Sequence, residues 1–210
     1  EQFSSITTIT VLPPVTPATA TNVAECNVTN SLLTGNTALQ GIGTWTQLPG
    51  GPSVALISDI HNPTSSVSNL VVGVYTFKWT IDNGFCAPSS ATMTLSNYPA
   101  IVNEIQTAVD TICADQAILI SDKTHAGGTG TYTYKWQSSS NGTSWTDILP
   151  AQTGLTLAMN LSTSTYFRRI ISSGPCSSVS DSIYIFVQPA LANNTITAIT
   201  EVCINKPVAI

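Results

Sequence analysis

The chain has 210 residues, of which 8% are charged and 42% hydrophobic, with six basic side chains against eleven acidic. So sparse and slightly acidic a surface excludes a nucleic-acid binder and a protein drawn to anionic lipid, both of which need clustered Lys and Arg. No apolar run approaches the roughly 18 residues of a membrane span, so direct membrane insertion is not expected, and the hydrophobic share is enough for a packed core.

In chain order, residues 5–12 alternate polar and apolar and stop at Pro13-Pro14. This predicts a last strand closed by proline, which cannot donate to a ladder. Its equivalents are 91–95 ahead of Pro99 and 182–187 ahead of Pro189. Between them, Gly73–Ile81 sets Tyr75, Phe77, Trp79 and Ile81 on one face. Asp82-Asn83-Gly84 then supplies a turn, and Cys86 is expected to begin the closing strand. The second stretch repeats this as Tyr166–Ile171, Ser173-Gly174-Pro175 and Cys176. Trp45 and Trp136 mark the middle strands. Asn141-Gly142 reads as a two-residue hairpin turn with 140 opposite 143, which sets Trp145 against Ser138 and on the face of Trp136.

The cysteines keep a phase. Cys26, Cys113 and Cys203 recur at intervals of 87 and 90 residues, with Cys86 and Cys176 in the gaps. A period near 90 means tandem domains of one kind, here drawn at 15–99 and 100–189. Residues 1–14 read as the last strand of a preceding repeat and 190–210 as the start of a following one, so the chain is expected to be a window on a longer array. Short strands, frequent turn signals and no convincing helix predict an all-β chain of tandem β-sandwich domains. Regular cysteines in small Thr-rich domains point to an oxidising, extracellular setting rather than to reduced buried thiols.

Two connectivities stay open. Intradomain bridges Cys26–Cys86 and Cys113–Cys176 are the default, closing separations of 60 and 63 residues worth about 4 kcal/mol each in a chain-entropy account. However, an immunoglobulin layout sets the end of a first strand and the start of a last strand at opposite ends of the sandwich, beyond disulfide reach. Abutting domains would instead let Cys26 meet Cys176, leaving Cys86 and Cys203 to partners elsewhere.

The remaining candidates carry little chemistry. In Arg168-Arg169, strand alternation turns one guanidinium inward or along the sheet edge, where stacking on Trp136 is a better expectation than an anion site. Trp45, Trp79 and Trp136 read as core. Trp145, beside the hairpin, is the candidate ligand contact. His61 and His125 lack neighbours at metal-ligand spacing, and Asp59, Asp82, Asp110, Asp115 and Asp122 are scattered, so neither metal nor cofactor is expected. Gly127-Gly-Thr-Gly130 lacks the Lys and helix of a phosphate loop and reads as a strand connection. No nucleophile elbow or paired acid is present, and no catalysis is expected.

The run Tyr134-Lys-Trp-Gln-Ser-Ser-Ser-Asn-Gly-Thr-Ser-Trp-Thr-Asp-Ile148, followed by Thr165-Tyr-Phe-Arg-Arg-Ile-Ile-Ser-Ser-Gly-Pro-Cys176, resembles the immunoglobulin-like or PKD-like repeats of giant Bacteroidota surface proteins. Gly43-Thr-Trp45 and Gly73–Cys86 are similar to a sister type. The resemblance extends to the SprB-like gliding adhesins, exported by type IX secretion. It implies a structural and adhesive stalk segment on the surface of a Gram-negative bacterium, with gliding motility as its setting. The partners implied are neighbouring repeats, surface polysaccharide or solid substrata. It also implies O-glycosylation at Thr111 and Ser182, each in an Asp-Ser/Thr-apolar triplet. The alternatives are a carbohydrate-binding sandwich and the accessory repeats of a large secreted enzyme.

Overall fold

The computed structural model describes residues 11–189. Most of the strand expected at 5–12, the stretch 190–210 and Cys203 therefore lie outside the described residues, and Val11–Pro14 carry no strand.

Two sandwiches follow one another. The first uses β1 (Val23–Cys26), β2 (Asn30–Leu32), β3 (Ile42–Gln47), β4 (Leu56–Ile57), β5 (Ser66–Ser68), β6 (Gly73–Asp82) and β7 (Ser89–Tyr98). One sheet has the order β1-β7-β6-β3 and the other β2-β5-β4. In immunoglobulin lettering these are A′GFC and BED. The first strand runs parallel to the last, Val23 opposite Leu95 and Cys26 opposite Tyr98.

The alternation in β6 does what its spacing predicts. Tyr75, Phe77, Trp79 and Ile81 are all buried, with Leu33, Trp45, Val67, Met93 and Leu95 around them. Trp45 lies directly opposite Trp79 in the ladder, ring centroids 5.0 Å apart, a pair worth about 0.5–1.5 kcal/mol beyond its buried area. Their indole N–H groups donate to the carbonyls of Pro63 and Asn36. Gly43 makes room for the rings, since a Cβ there would sit 2.0 Å from Trp79.

The second sandwich uses β8 (Val102–Thr107), β9 (Thr111–Cys113), β10 (Gln116–Ala126), β11 (Thr133–Ser139), β12 (Thr146–Asp147), β13 (Leu157–Leu161), β14 (Thr165–Ser173), β15 (Cys176–Val179) and β16 (Ile183–Gln188). Its sheets are β8-β10-β13 and β9-β16-β14-β11-β12, with β15 pairing β14 ahead of β16. Again a first-strand segment, β9, runs parallel to the last, Cys113 opposite Gln188. Trp136, Ile120, Leu157, Phe167 and Ile185 form its core.

Two local expectations need correction. Cys86 lies in the turn between β6 and β7 rather than in the closing strand. The hairpin at 141–142 is slipped by one residue, with Thr146, not Trp145, opposite Ser138. The reason is side-chain chemistry. Ser139 Oγ accepts from the N–H groups of Asn141 and Gly142, and Asn141 Oδ1 from those of Thr143 and Ser144. These local bonds build a longer loop than the two-residue turn. The slip takes Trp145 off the core face, half-buried.

Candidate functional site

The site is the junction between the sandwiches, and it starts from how little chain separates them. Tyr98 ends β7 and Val102 starts β8, leaving Pro99, Ala100 and Ile101 between. Two bonds hold that linker's ends. Asn27 N–H donates to Tyr98 O at 2.8 Å, fixing the residue after Cys26 beside the end of β7. Gly128 N–H donates to Pro99 O at 2.8 Å, seating the linker on the turn between β10 and β11. Glycine is needed at 127 for that approach: its φ is +92°, and a Cβ would stand 2.1 Å from the Ala100 carbonyl oxygen. The Gly127-Gly128 pair is thus a strand connection, as expected, and also the floor of the linker.

With the ends so placed, Cys26 and Cys176 form a disulfide, Cα atoms 5.2 Å apart and 150 residues apart in sequence. Cys86 and Cys113 are free thiols. The intradomain pairs Cys26–Cys86 and Cys113–Cys176 are therefore corrected. Cys26 stands opposite Tyr98 at one end of the ten-residue β7, while Cys86 precedes its other end. At about 3.3 Å per residue the two are some 30 Å apart, far beyond the reach of a bridge.

Around the bridge lies a small apolar cluster of Ile101, Ile171 and Cys176, against which Cys26, Tyr98, Tyr132 and Tyr134 pack. Tyr132 donates its hydroxyl to Gly127 O. Behind the tyrosines stands His125, edge-on to Tyr132 at 4.9 Å and to Tyr134 at 6.0 Å. Its Nδ1 lies 2.9 Å from Asp122 Oδ2, so a carboxylate does sit on this histidine. A β-bulge between Asp122 and Thr124 brings them together. In a regular strand positions 122 and 125 point to opposite faces, and one extra residue returns them to the same one.

Asp122 is in turn the anion of Arg169, whose side chain is fully buried. Arg169 Nη2 donates to Asp122 Oδ1 at 2.7 Å and to Glu104 O. Its Nε donates to Asn103 Oδ1 and its Nη1 to Leu155 O. Asn103 completes the lacing by donating to the carbonyls of Arg169 and Ser178. Burial pulls the Asp122 carboxyl up, but hydrogen bonds from His125 and Arg169, with their charges, hold it below its ordinary 3.8. Arg169 is the inward arginine the alternation requires. Its guanidinium lies 5.8 Å over both Trp136 and Tyr134.

Arg168 points outward and stacks on Trp145 at 4.3 Å. It also donates to Gln137, which with Lys135 donates to Asp147 and holds that carboxyl below its ordinary value. Thr111 and Ser182 are exposed, at the start of β9 and just ahead of β16. An open groove of about 400 Å³ runs beside the hairpin, lined by Ser138, Ser139, Ser140, Ser144, Thr146 and Thr163–Thr165. Another of about 490 Å³ lies over residues 47–54 and has no charged side chain in its lining. Among the described residues, no three His, Cys, Asp or Glu side chains gather as metal ligands, and no buried side-chain polar atom lacks a hydrogen-bond partner. No helix there is long and apolar enough to cross a membrane.

Among solved structures, the chain is similar to murine CEACAM1b, with 15% identity and a TM-score of 0.47 over 81% of this chain and 100% of that one. Fibronectin(III)-like modules of CbhA from Clostridium thermocellum give 11%, 0.47, 86% and 99%. Immunoglobulin domains 1–5 of Sidekick-1 give 15% and 0.48 over 84% of this chain, which spans 40% of that one. No curated protein matches the chain. Residues 102–189, from the first residue of β8 to the proline after β16, match the model of a domain of unknown function (DUF8696).

Proposed function

We propose that the chain is a structural and adhesive stalk segment of a large repetitive bacterial cell-surface adhesin, with gliding motility as the setting that its sequence resemblance implies. The observation that carries this reading is the Cys26–Cys176 bridge across a three-residue linker. A bond that joins neighbouring sandwiches contributes nothing to a ligand pocket and much to keeping the pair in one alignment, as a spacer requires. It also supports a setting in an oxidising compartment, where disulfides form and persist. The sparse charge and dense Ser and Thr give a polar surface for contact with polysaccharide or solid substrata. The role is non-catalytic. An antibody raised against these two sandwiches should label intact cells, and in-frame deletion of both should lower attachment. Labelling confined to permeabilised cells would remove the reading.

One observation favours a second reading, a carbohydrate-binding face. The groove beside the hairpin is lined wholly by hydroxyl side chains, and Trp145, held by Arg168 on one ring face, borders the same loop. Saturable binding on a glycan array that Trp145→Ala abolishes would establish it; a blank array would leave the stalk alone. O-glycosylation of Thr111 and Ser182 belongs to the same surface reading, and intact-mass measurement of protein from its native host tests it.

A further inference from the structure

We propose that Cys86 and Cys113 are the two open ends of a series of identical bridges between sandwiches. Cys86 bonds to the cysteine that closes the A′ strand of an immunoglobulin-like unit on its N-terminal side. Cys113 bonds to the cysteine in the turn between the F and G strands of a unit on its C-terminal side. The inference rests on the stalk reading and specifies how its units are joined.

The first support is positional. Cys113 ends β9 as Cys26 ends β1, each on a strand parallel to the last one of its sandwich. Cys26 stands opposite Tyr98, directly before Pro99, and Cys113 opposite Gln188, directly before Pro189. Both are followed within two residues by a positive-φ residue, Asn27 at 51° and Asp115 at 64°. Cys86 and Cys176 likewise both sit where the F strand turns into the G strand. Each unbonded cysteine is therefore the twin of a bonded one.

The second support is the seat itself. Cys176 Sγ lies 3.5 Å from the carbonyl oxygen of Pro99, the first residue of the linker. Cys86 Sγ donates to the carbonyl oxygen of Pro13 at 3.6 Å, and Asn83 Nδ2 donates to the same atom. The N-terminal approach to the first sandwich thus repeats the linker that the bridge spans. At the Cys86 end of the first sandwich three apolar side chains are uncovered: Phe85 is 84% exposed, Leu39 81% and Ile42 65%. Val15 and Ile81 there are buried, as are their counterparts Ile101 and Ile171 in the second sandwich, where Tyr98 and Cys26 of the first also pack against the cluster. A unit docked as the first docks on the second would cover the exposed set.

Each bond needs two thiols to lose two protons and two electrons. A thiol–disulfide oxidant accepts them: one cysteine thiolate attacks its disulfide, the second displaces the mixed disulfide, and the oxidant leaves as a dithiol. Non-reducing proteolysis and mass spectrometry of the full-length protein, alkylated as it is isolated, tests the series. The Cys86 peptide should be linked to a cysteine roughly 150 residues upstream and the Cys113 peptide to one roughly 150 residues downstream, the spacing of Cys26 and Cys176. Cys113→Ser should then expose one new alkylatable thiol, in the downstream unit, and leave Cys26–Cys176 intact. Alkylated Cys86 and Cys113, or either one linked within its own sandwich, would overturn the proposal. Surface labelling of the same cells reads the stalk separately, so a surface-exposed chain with alkylated thiols would sink the bridge series alone.

Discussion

Arg169 reaches Asp122 from the opposite sheet, the guanidinium fully buried and the carboxylate partly open, at 2.7 Å. A buried cation is tolerated because four acceptors surround it, one of them the Asp122 counter-charge. Removing one partner of such a pair costs about 3–5 kcal/mol. Arg169→Ala should therefore lower the denaturant midpoint of the second sandwich severely and leave that of the first unchanged, as two tryptophan-fluorescence transitions would report.

The same pair gives the second sandwich an acid limit. The folded Asp122 carboxyl is held below its ordinary 3.8, so its contribution is complete above that value. It is lost as pH falls through the lower folded one. Melting temperature plotted against pH should fall below about pH 4 with a slope that Asp122→Asn reduces. An unchanged slope would assign the acid sensitivity elsewhere.

Gly127→Ala should unseat the linker. The new methyl meets the Ala100 carbonyl at 2.1 Å and φ is +92°, so clash and strain together cost roughly 2–4 kcal/mol. Hydrogen exchange should quicken at Gly128, whose N–H holds Pro99. The protected core amides of β6 should keep their rates.

Cys26→Ser should leave both sandwiches folded, because neither hydrophobic core contains the bridge. What changes is their mutual freedom. Small-angle scattering should show a broader distribution of inter-sandwich distances with circular dichroism unaltered. In a chain-entropy account a closed loop of this length stabilises by on the order of 5 kcal/mol. That gain should appear only when both sandwiches unfold together.

The strands were legible wherever one period ran unbroken. Tyr75 to Ile81 declared β6, and the tryptophans declared the middle strands, because burial of one face leaves its mark at every second residue. The cysteine phase likewise revealed the repeat. What escaped was set by single-residue departures from that period. The bulge at Lys123 put Asp122 and His125 on one face, where plain alternation separates them. Ser139 and Asn141 captured backbone N–H groups and slipped the hairpin that carries Trp145. The bridge was legible only as the second of two connectivities, because spacing says which cysteines are equivalent and not which ends of a sandwich lie side by side. The parallel pairing of β1 on β7 decided that.

The Cys26–Cys176 bond is also a shortcut in the chain. A pull applied to the two ends passes from residue 26 straight to residue 176, and the 150-residue detour between them carries no load. Fully drawn out, that detour would measure roughly 500 Å. Nearly all the extensible length of two sandwiches is thus withheld from a steady tug. A reductant would put that length back in the load path, to be drawn out only as each sandwich unfolds under the pull.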